Sequence, residues 1–265
     1  MENSFNKRLL DRCNKTNNRL CIGLDIDPDK LPSCISDFNS VEAYTKDIID
    51  STIAFCPVYK PNFAFYERFG SKGFALLENI VSYIGDKAIT IADAKRGDIG
   101  NTSKHYANSI FNHFGFDAIT ISPYMGSDSI TPFINDKSKG VFVLCLTSNN
   151  SSKDFQFTTK NNTNLYEIVA DKTQSLNDND NLGLVVGATN KDQMLSLREK
   201  TPFLSWLIPG IGAQGGDLEI SVKTGNKNGL GIINVSRSII YAGKGSIDDI
   251  SNSALNYTKQ IRSFL

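Results

Sequence analysis

Histidine is nearly missing from this chain: His105 and His113 are the only two in 265 residues. A His-rich metal centre or a Ser-His-Asp triad is therefore poorly supplied, and any chemistry is expected to run on Lys, Asp and Arg. An excess of one charge is missing too. Lys plus Arg total 28 and Asp plus Glu total 28, so no net field draws the chain onto nucleic acid or an anionic membrane, and any anion site must be local. The five cysteines, at 13, 21, 34, 56 and 145, are odd in number and contain no C-x-x-C pair. This argues against a disulfide framework or a zinc knuckle and for buried thiols in a reducing compartment. No apolar run reaches the roughly 18 residues of a membrane span, and the opening MENSFNKRLLDRCNK lacks the apolar stretch of a signal peptide. The expectation is a soluble, cytoplasmic protein with neither nucleic acid nor membrane as partner.

No heptad run, short repeat or Pro-rich linker divides the chain, which predicts one domain over 1–265. Hydrophobic residues make up 40% and charged residues 21%. A chain of this length buries roughly 70 to 75% of its unfolded surface, enough for a core without staples. Short β-branched runs alternate with amphipathic stretches. The predicted strands are 20–26, 58–63, 88–92, 117–122, 140–147, 182–186, 204–208 and 229–235, the eight that a (β/α)8 TIM barrel requires.

The seven intervals between these strands each hold a helix or a plausible one, and an extra helix is expected at the N-terminus. Apolar spacing marks helices over 41–56 and 74–84. Asn101, Thr102 and Ser103 offer N-caps for a helix ending near Phe114 and Gly115, and 246–265 makes a closing helix. The polar stretch 148–164 reads first as a solvated surface loop, with an active-site loop as the alternative. A doubly wound sheet is the rival architecture; the fall of unusual polar residues at several strand ends favours the barrel.

Four charged residues fall in six positions of Asp93-Ala94-Lys95-Arg96-Gly97-Asp98, directly after an apolar strand. If that strand continues, Asp93 and Lys95 share a face at the barrel mouth. Lys60, in Val58-Tyr59-Lys60-Pro61-Asn62-Phe63, is costly in so apolar a strand unless paired: either it snorkels to the strand's end, or it pairs with Asp93 across neighbouring strands and the mouth holds alternating Lys and Asp. Pro209-Gly210-Ile211-Gly212-Ala213-Gln214-Gly215-Gly216 follows the seventh strand, and Asn234-Val235-Ser236-Arg237 lies at the eighth. Loops in these places often bind phosphate through backbone N–H groups and an arginine. The glycine spacing does not fit dinucleotide binding. Asp25, after the first strand, could reach a sugar hydroxyl or serve as a turn residue. Both histidines read as surface or packing residues.

With Lys60-Pro61-Asn62, Thr147-Ser148-Asn149 and the two phosphate-type loops in the same order, Asp93-x-Lys95-x-x-Asp98 resembles the D-x-K-x-x-D signature of orotidine 5′-phosphate decarboxylases over nearly the whole chain. The spacing is similar to that of the longer-chain group that includes mycobacterial and apicomplexan enzymes. The resemblance implies a homodimeric barrel converting orotidine 5′-phosphate to UMP, the last step of de novo pyrimidine nucleotide synthesis, with no metal and no cofactor. It implies Lys95 as the cation beside C6, stabilising the developing carbanion and then protonating it, with Asp93 facing the departing carboxylate. Asp98 would come from the other subunit, with Ile99 and Thr102 also crossing to ribose and base. Lys60 would hold the network and contact the ribose, as would Asp25, with Asn62 beside them; Ser148 would hydrogen-bond the pyrimidine edge, and Thr147 would be a further substrate-binding residue. Gln214 and Arg237 would grip the phosphate, Pro209, Gly212 and Gly215 would be substrate-binding residues beside them, and the loop from Gly212 would close over the ligand.

The physics suits this chemistry, because a C6 carbanion has no enolate-like sink and must meet a preorganised charge in a water-poor site. A related sugar-phosphate decarboxylase or aldolase-like synthase would use a magnesium-bound enediolate. Its metal would want a carboxylate where this chain has Lys60 and Asn62. A silent nucleotide-binding protein is disfavoured by the intact Asp93, Lys95 and Asp98.

Overall fold

The strand segments are almost wholly apolar because both of their faces are covered. A computed structural model describes residues 4–35 and 37–265; residues 1–3, which fall in the stretch read for a leader and in the expected domain, and Ser36 lie outside the described residues. Eight parallel strands close into a barrel in sequence order: β1 (Leu20–Gly23), β2 (Val58–Lys60), β3 (Ile89–Arg96), β4 (Ala118–Ile121), β5 (Gly140–Leu146), β6 (Leu182–Val186), β7 (Ser205–Ile208) and β8 (Gly231–Val235). Around them run α1 (Phe5–Lys15), ahead of β1, then α2 (Phe38–Asp50), α3 (Phe63–Glu67), α4 (Ser71–Ile84), α5 (Gly100–Asn108), α6 (Leu165–Ser175), α7 (Lys191–Lys200), α8 (Leu218–Gly225), α9 (Arg237–Ile240) and α10 (Ile247–Phe264). This is a (β/α)8 barrel.

Strand alternation divides the apolar residues between two cores. Ile22, Tyr59, Ala92, Ile119, Val143, Trp206 and Val235 face outward and pack under the helices. Cys21, Val58, Ile91, Ala118, Phe142, Leu207 and Ile232 face inward and fill the barrel. The inner core continues into α1, whose Phe5, Leu9 and Cys13 recur at intervals of four along one face and are buried with it. Phe5 meets Phe142 edge-on, with ring centroids 6.0 Å apart. Arg8 donates to Asp117 at 2.6 Å and to the Ser138 carbonyl at 2.7 Å. The N-terminal helix is thus the floor of the barrel.

Several expected bounds move, each for a local reason. The second strand stops at Lys60, not Phe63, because Pro61 offers no N–H and the Asn62 side chain accepts from Ala64 N to cap α3. The third runs beyond Ala92 to Arg96. The helix after it begins at Gly100 with Ile99 as its cap residue, so Asn101, Thr102 and Ser103 lie in its first turn and do not cap it. It continues through a π-turn, Ser109–His113. The helix expected over 41–56 ends at Asp50, the one expected to start at Phe74 starts at Ser71, and the first strand ends at Gly23. Between β4 and β5 there are only 3-10 turns, Ser127–Ser129 and Thr131–Phe133, so that interval holds no α-helix.

The floor leaves no room at Gly140, where a Cβ would stand 2.3 Å from the Phe5 ring. Gly140→Ala is expected to destabilise the fold by about 1–3 kcal/mol through overpacking. Urea unfolding checks this; an unchanged midpoint would mean that α1 is not seated on the barrel.

Candidate active site

Two residues beyond each inner-core position, the same alternation carries the next side chain to the C-terminal mouth. Val58 is followed there by Lys60, Ile91 by Asp93, Ala118 by Thr120, Phe142 by Leu144 and Ile232 by Asn234. All five upper residues line one cavity of about 530 Å³. Lys60 donates to Asp93 Oδ2 at 2.7 Å, with only 4% of its side chain exposed. Lys95 donates to Asp93 Oδ1 at 2.5 Å and is 48% exposed toward the mouth. Burial opposes the charge on Lys60, but the carboxylates of Asp93 and Asp25 outweigh it and hold the ammonium pKa above its ordinary value. Burial likewise opposes ionisation of Asp93, yet Lys60 and Lys95 hold its carboxyl well below the usual carboxylate range.

Lys95 reaches this position through an irregularity in β3. Ala92 stands opposite Ile119 and Arg96 opposite Ile121, so four steps of β3 match two of β4 and the chain bulges between them, with Lys95 at φ +47°. Beside it, Asn62 bridges to Asp93 and Asp93 N donates to the Pro61 carbonyl at 3.0 Å. Asp25 enters from the loop after β1. Its backbone carbonyl accepts from Tyr241 Oη at 2.6 Å and the neighbouring Leu24 carbonyl from Tyr66 Oη at 2.9 Å. Its buried Oδ1 has no partner among the described residues.

The far wall comes from β5, β7 and β8. Thr147, Ser148, Pro209, Gln214 and Arg237 line the cavity, and Ser148 Oγ donates to Gln214 Oε1 at 2.6 Å, joining two loops across the mouth. Gly212 and Gly215, at φ +77° and +75°, form the turn that presents Gln214 but do not line the cavity. Asp98, Ile99 and Thr102 also lie outside it; Asp98 Oδ1 accepts from Ile99 N at 2.8 Å, and Ile99 is 46% exposed. Among the described residues no three His, Cys, Asp or Glu side chains gather as metal ligands, and no helix is long and apolar enough to cross a membrane.

Residues 18–246 match the family model described as orotidine 5′-phosphate decarboxylase / HUMPS family. The chain belongs to this decarboxylase family. An orotidine 5′-phosphate decarboxylase of Dehalococcoides mccartyi is 45% identical over 264 residues, 97% of this chain and 96% of that one. The structure titled a putative orotidine-monophosphate decarboxylase from Toxoplasma gondii superposes with a TM-score of 0.91 at 34% identity, covering 99% of this chain and 96% of that one. The UMP synthase of Leishmania donovani has a TM-score of 0.89 at 38% identity; there the chain covers 98% of itself but spans 56% of the larger protein. Decarboxylases of this family are carboxy-lyases, and this chain is one.

Several lining residues of this decarboxylase escape a reading of the sequence. Thr120 carries a faint signal, a hydroxyl at an inward position of the apolar run Ala118–Ile121. Asn234 lies inside the motif singled out for its arginine. Gln156 carries none: from within the polar segment it accepts from Thr147 N at 2.8 Å and donates to Thr147 Oγ1 at 2.8 Å. The surface-loop reading of 148–164 therefore needs correction, because Ser148, Asn149 and Gln156 face the cavity, while Phe155 and Lys160 are exposed.

Removing one member of the buried pair leaves the other uncompensated. Asp93→Ala is expected to lower stability by about 3 kcal/mol at pH 7, the low end for a broken buried pair because Asp25 still faces Lys60. Asp93 titrates below its unfolded value of about 3.9, so its contribution is complete above that pH and fades as pH falls through it. Lys60 titrates above its unfolded value of about 10.4, so its contribution is complete below that pH and fades as pH rises. Urea titrations of both proteins should show the wild-type advantage narrowing from pH 7 to pH 3; a constant gap would contradict the linkage.

Proposed function

We propose that this chain decarboxylates orotidine 5′-phosphate to UMP without metal or cofactor, as a cytoplasmic homodimer whose two subunits share each active site. The observation that carries the reading is the triad at the cavity floor, in which Asp93 is held between the buried Lys60 and the mouth-facing Lys95. The donor set suits no divalent cation, since two ammonium groups would repel it and only one carboxylate lies between them.

In this reading the C6–carboxylate bond of the pyrimidine breaks, its electron pair stays on C6, and carbon dioxide leaves past Asp93. Lys95 stabilises that charge and delivers the proton to C6. The apolar wall of Leu144, Val185 and Leu207 lowers the local dielectric, so a fixed ammonium counts for more than it would in water. Asp25, with its unpartnered oxygen, and Lys60 take ribose hydroxyls beside Asn62. Thr147 and Ser148 take the pyrimidine edge. Arg237 and Gln214 take the phosphate with the turn of Pro209, Gly212 and Gly215. Binding energy from the phosphate drives closure of that turn, so its loss affects turnover as well as affinity. Asp98, Ile99 and Thr102 serve the neighbouring subunit's cavity. Their position outside their own supports this, as do Tyr124 and Met125, 85% and 49% exposed on the next loop at the same end.

The direct test follows the orotate absorbance of orotidine 5′-phosphate with purified protein, with and without EDTA. Loss of the chromophore with UMP as product, unaffected by EDTA, is expected; EDTA-sensitive turnover would point to a metal, and no turnover by folded protein would refute the reading. Lys95→Ala should abolish decarboxylation while leaving UMP binding in place, and near-normal turnover would remove Lys95 from its role. Asp98→Ala and Lys95→Ala, each inactive alone, should regain activity when mixed, because one site of the hybrid dimer is intact. Absence of recovery under proven subunit exchange would count against shared sites.

A further inference from the structure

We infer that Thr120 is a positioning residue for the reaction: its hydroxyl, set between the backbone of Lys95 and the carboxylate of Asp93, holds both charged groups in their working orientation. The inference rests on the decarboxylase reading above. At φ +47° Lys95 occupies backbone space that side-chain-bearing residues keep only where their surroundings impose it. Its N–H donates to Thr120 Oγ1 at 3.1 Å. A hydroxyl has a single proton, and with its oxygen accepting from Lys95 the proton goes to Asp93 Oδ1, 3.0 Å away. Lys95 Nζ lies 2.5 Å from that same oxygen.

A closed circuit results, from the Lys95 backbone through the Thr120 hydroxyl and the Asp93 carboxylate to the Lys95 ammonium. Lys60 takes the remaining oxygen at 2.7 Å, so Asp93 is tied on both sides and cannot turn. Thr120 is itself 1% exposed, which leaves its rotamer to the packing of β4. Without the hydroxyl, the Lys95 N–H loses its partner, the bulge loses its pin, and the ammonium is no longer aimed by its own main chain.

Thr120→Val keeps the branched shape and removes the hydroxyl, while Thr120→Ser keeps the hydroxyl and removes the methyl. Steady-state decarboxylation and calorimetric UMP binding distinguish positioning from general support. Thr120→Val is expected to lower kcat by about 10²-fold, the scale of a small misplacement of reacting groups, with UMP affinity held. Thr120→Ser should recover most of that loss. Wild-type kcat in Thr120→Val, an equal loss of kcat and UMP affinity, or failure of Thr120→Ser to rescue would overturn the inference. If Thr120→Val does not fold, Thr120→Ala against Thr120→Ser makes the same comparison. An inactive wild-type protein would overturn the decarboxylase reading and the inference together, whereas an active one with an indifferent Thr120→Val would overturn the inference alone.

Discussion

The ion pair between Lys60 and Asp93 is the constraint from which the rest of the mouth follows. Neither group tolerates burial without the other, so β2 and β3 must lie in the register that brings them to 2.7 Å. Such a pair is weak evidence for stability, since well-packed apolar residues of similar volume often do as well. Its use lies in what it fixes. Asp93, committed through one oxygen to a buried cation, presents the other to Lys95, and the exposed ammonium of a long flexible side chain acquires a defined place.

The barrel interior changes character within one step of the strand repeat. Phe142, Ile91 and Ala118 close against α1 in a dry core, and about 7 Å higher, two residues along each strand, the inner layer is Leu144, Asp93 and Thr120. The charges therefore stand on an apolar base that water cannot undercut. Because Phe5, Leu9 and Cys13 seal the other end, the mouth is the exposed face of an otherwise filled tube, as in barrel enzymes generally.

Much of this was legible in the chain. The eight apolar runs gave the barrel because a buried parallel sheet leaves a strong compositional trace, and Lys60 and Asp93 stood out because charges in such runs need partners. What stayed hidden depended on contacts distant in sequence. The cap formed by Asn62 moved the end of β2, and a two-residue excess carried β3 beyond its expected end at Ala92 to Arg96. Gln156 could not be foreseen, since a glutamine among asparagines and serines gives no sign of bonding back to Thr147. The tyrosine clamps on the loop bearing Asp25 were equally invisible, for nothing in the sequence around Tyr66 or Tyr241 marks either as a donor to that loop.

The excess in β3 is even, and its parity has a consequence. Side chains alternate across a strand with a period of two, so inserting two residues restores the phase beyond the bulge. Arg96 consequently points outward like Ala92, between the rings of Phe63 and Tyr106, each 5.3 Å from its guanidinium, and pairs with Glu67 at 2.5 Å. A phase shifted by one residue would bring Arg96 into the mouth and turn Lys95 out of it. Length in this motif is thus constrained: an added pair of residues keeps the phase by alternation alone, whereas a single residue keeps it only where two neighbours stand opposite one partner, as in a one-residue bulge.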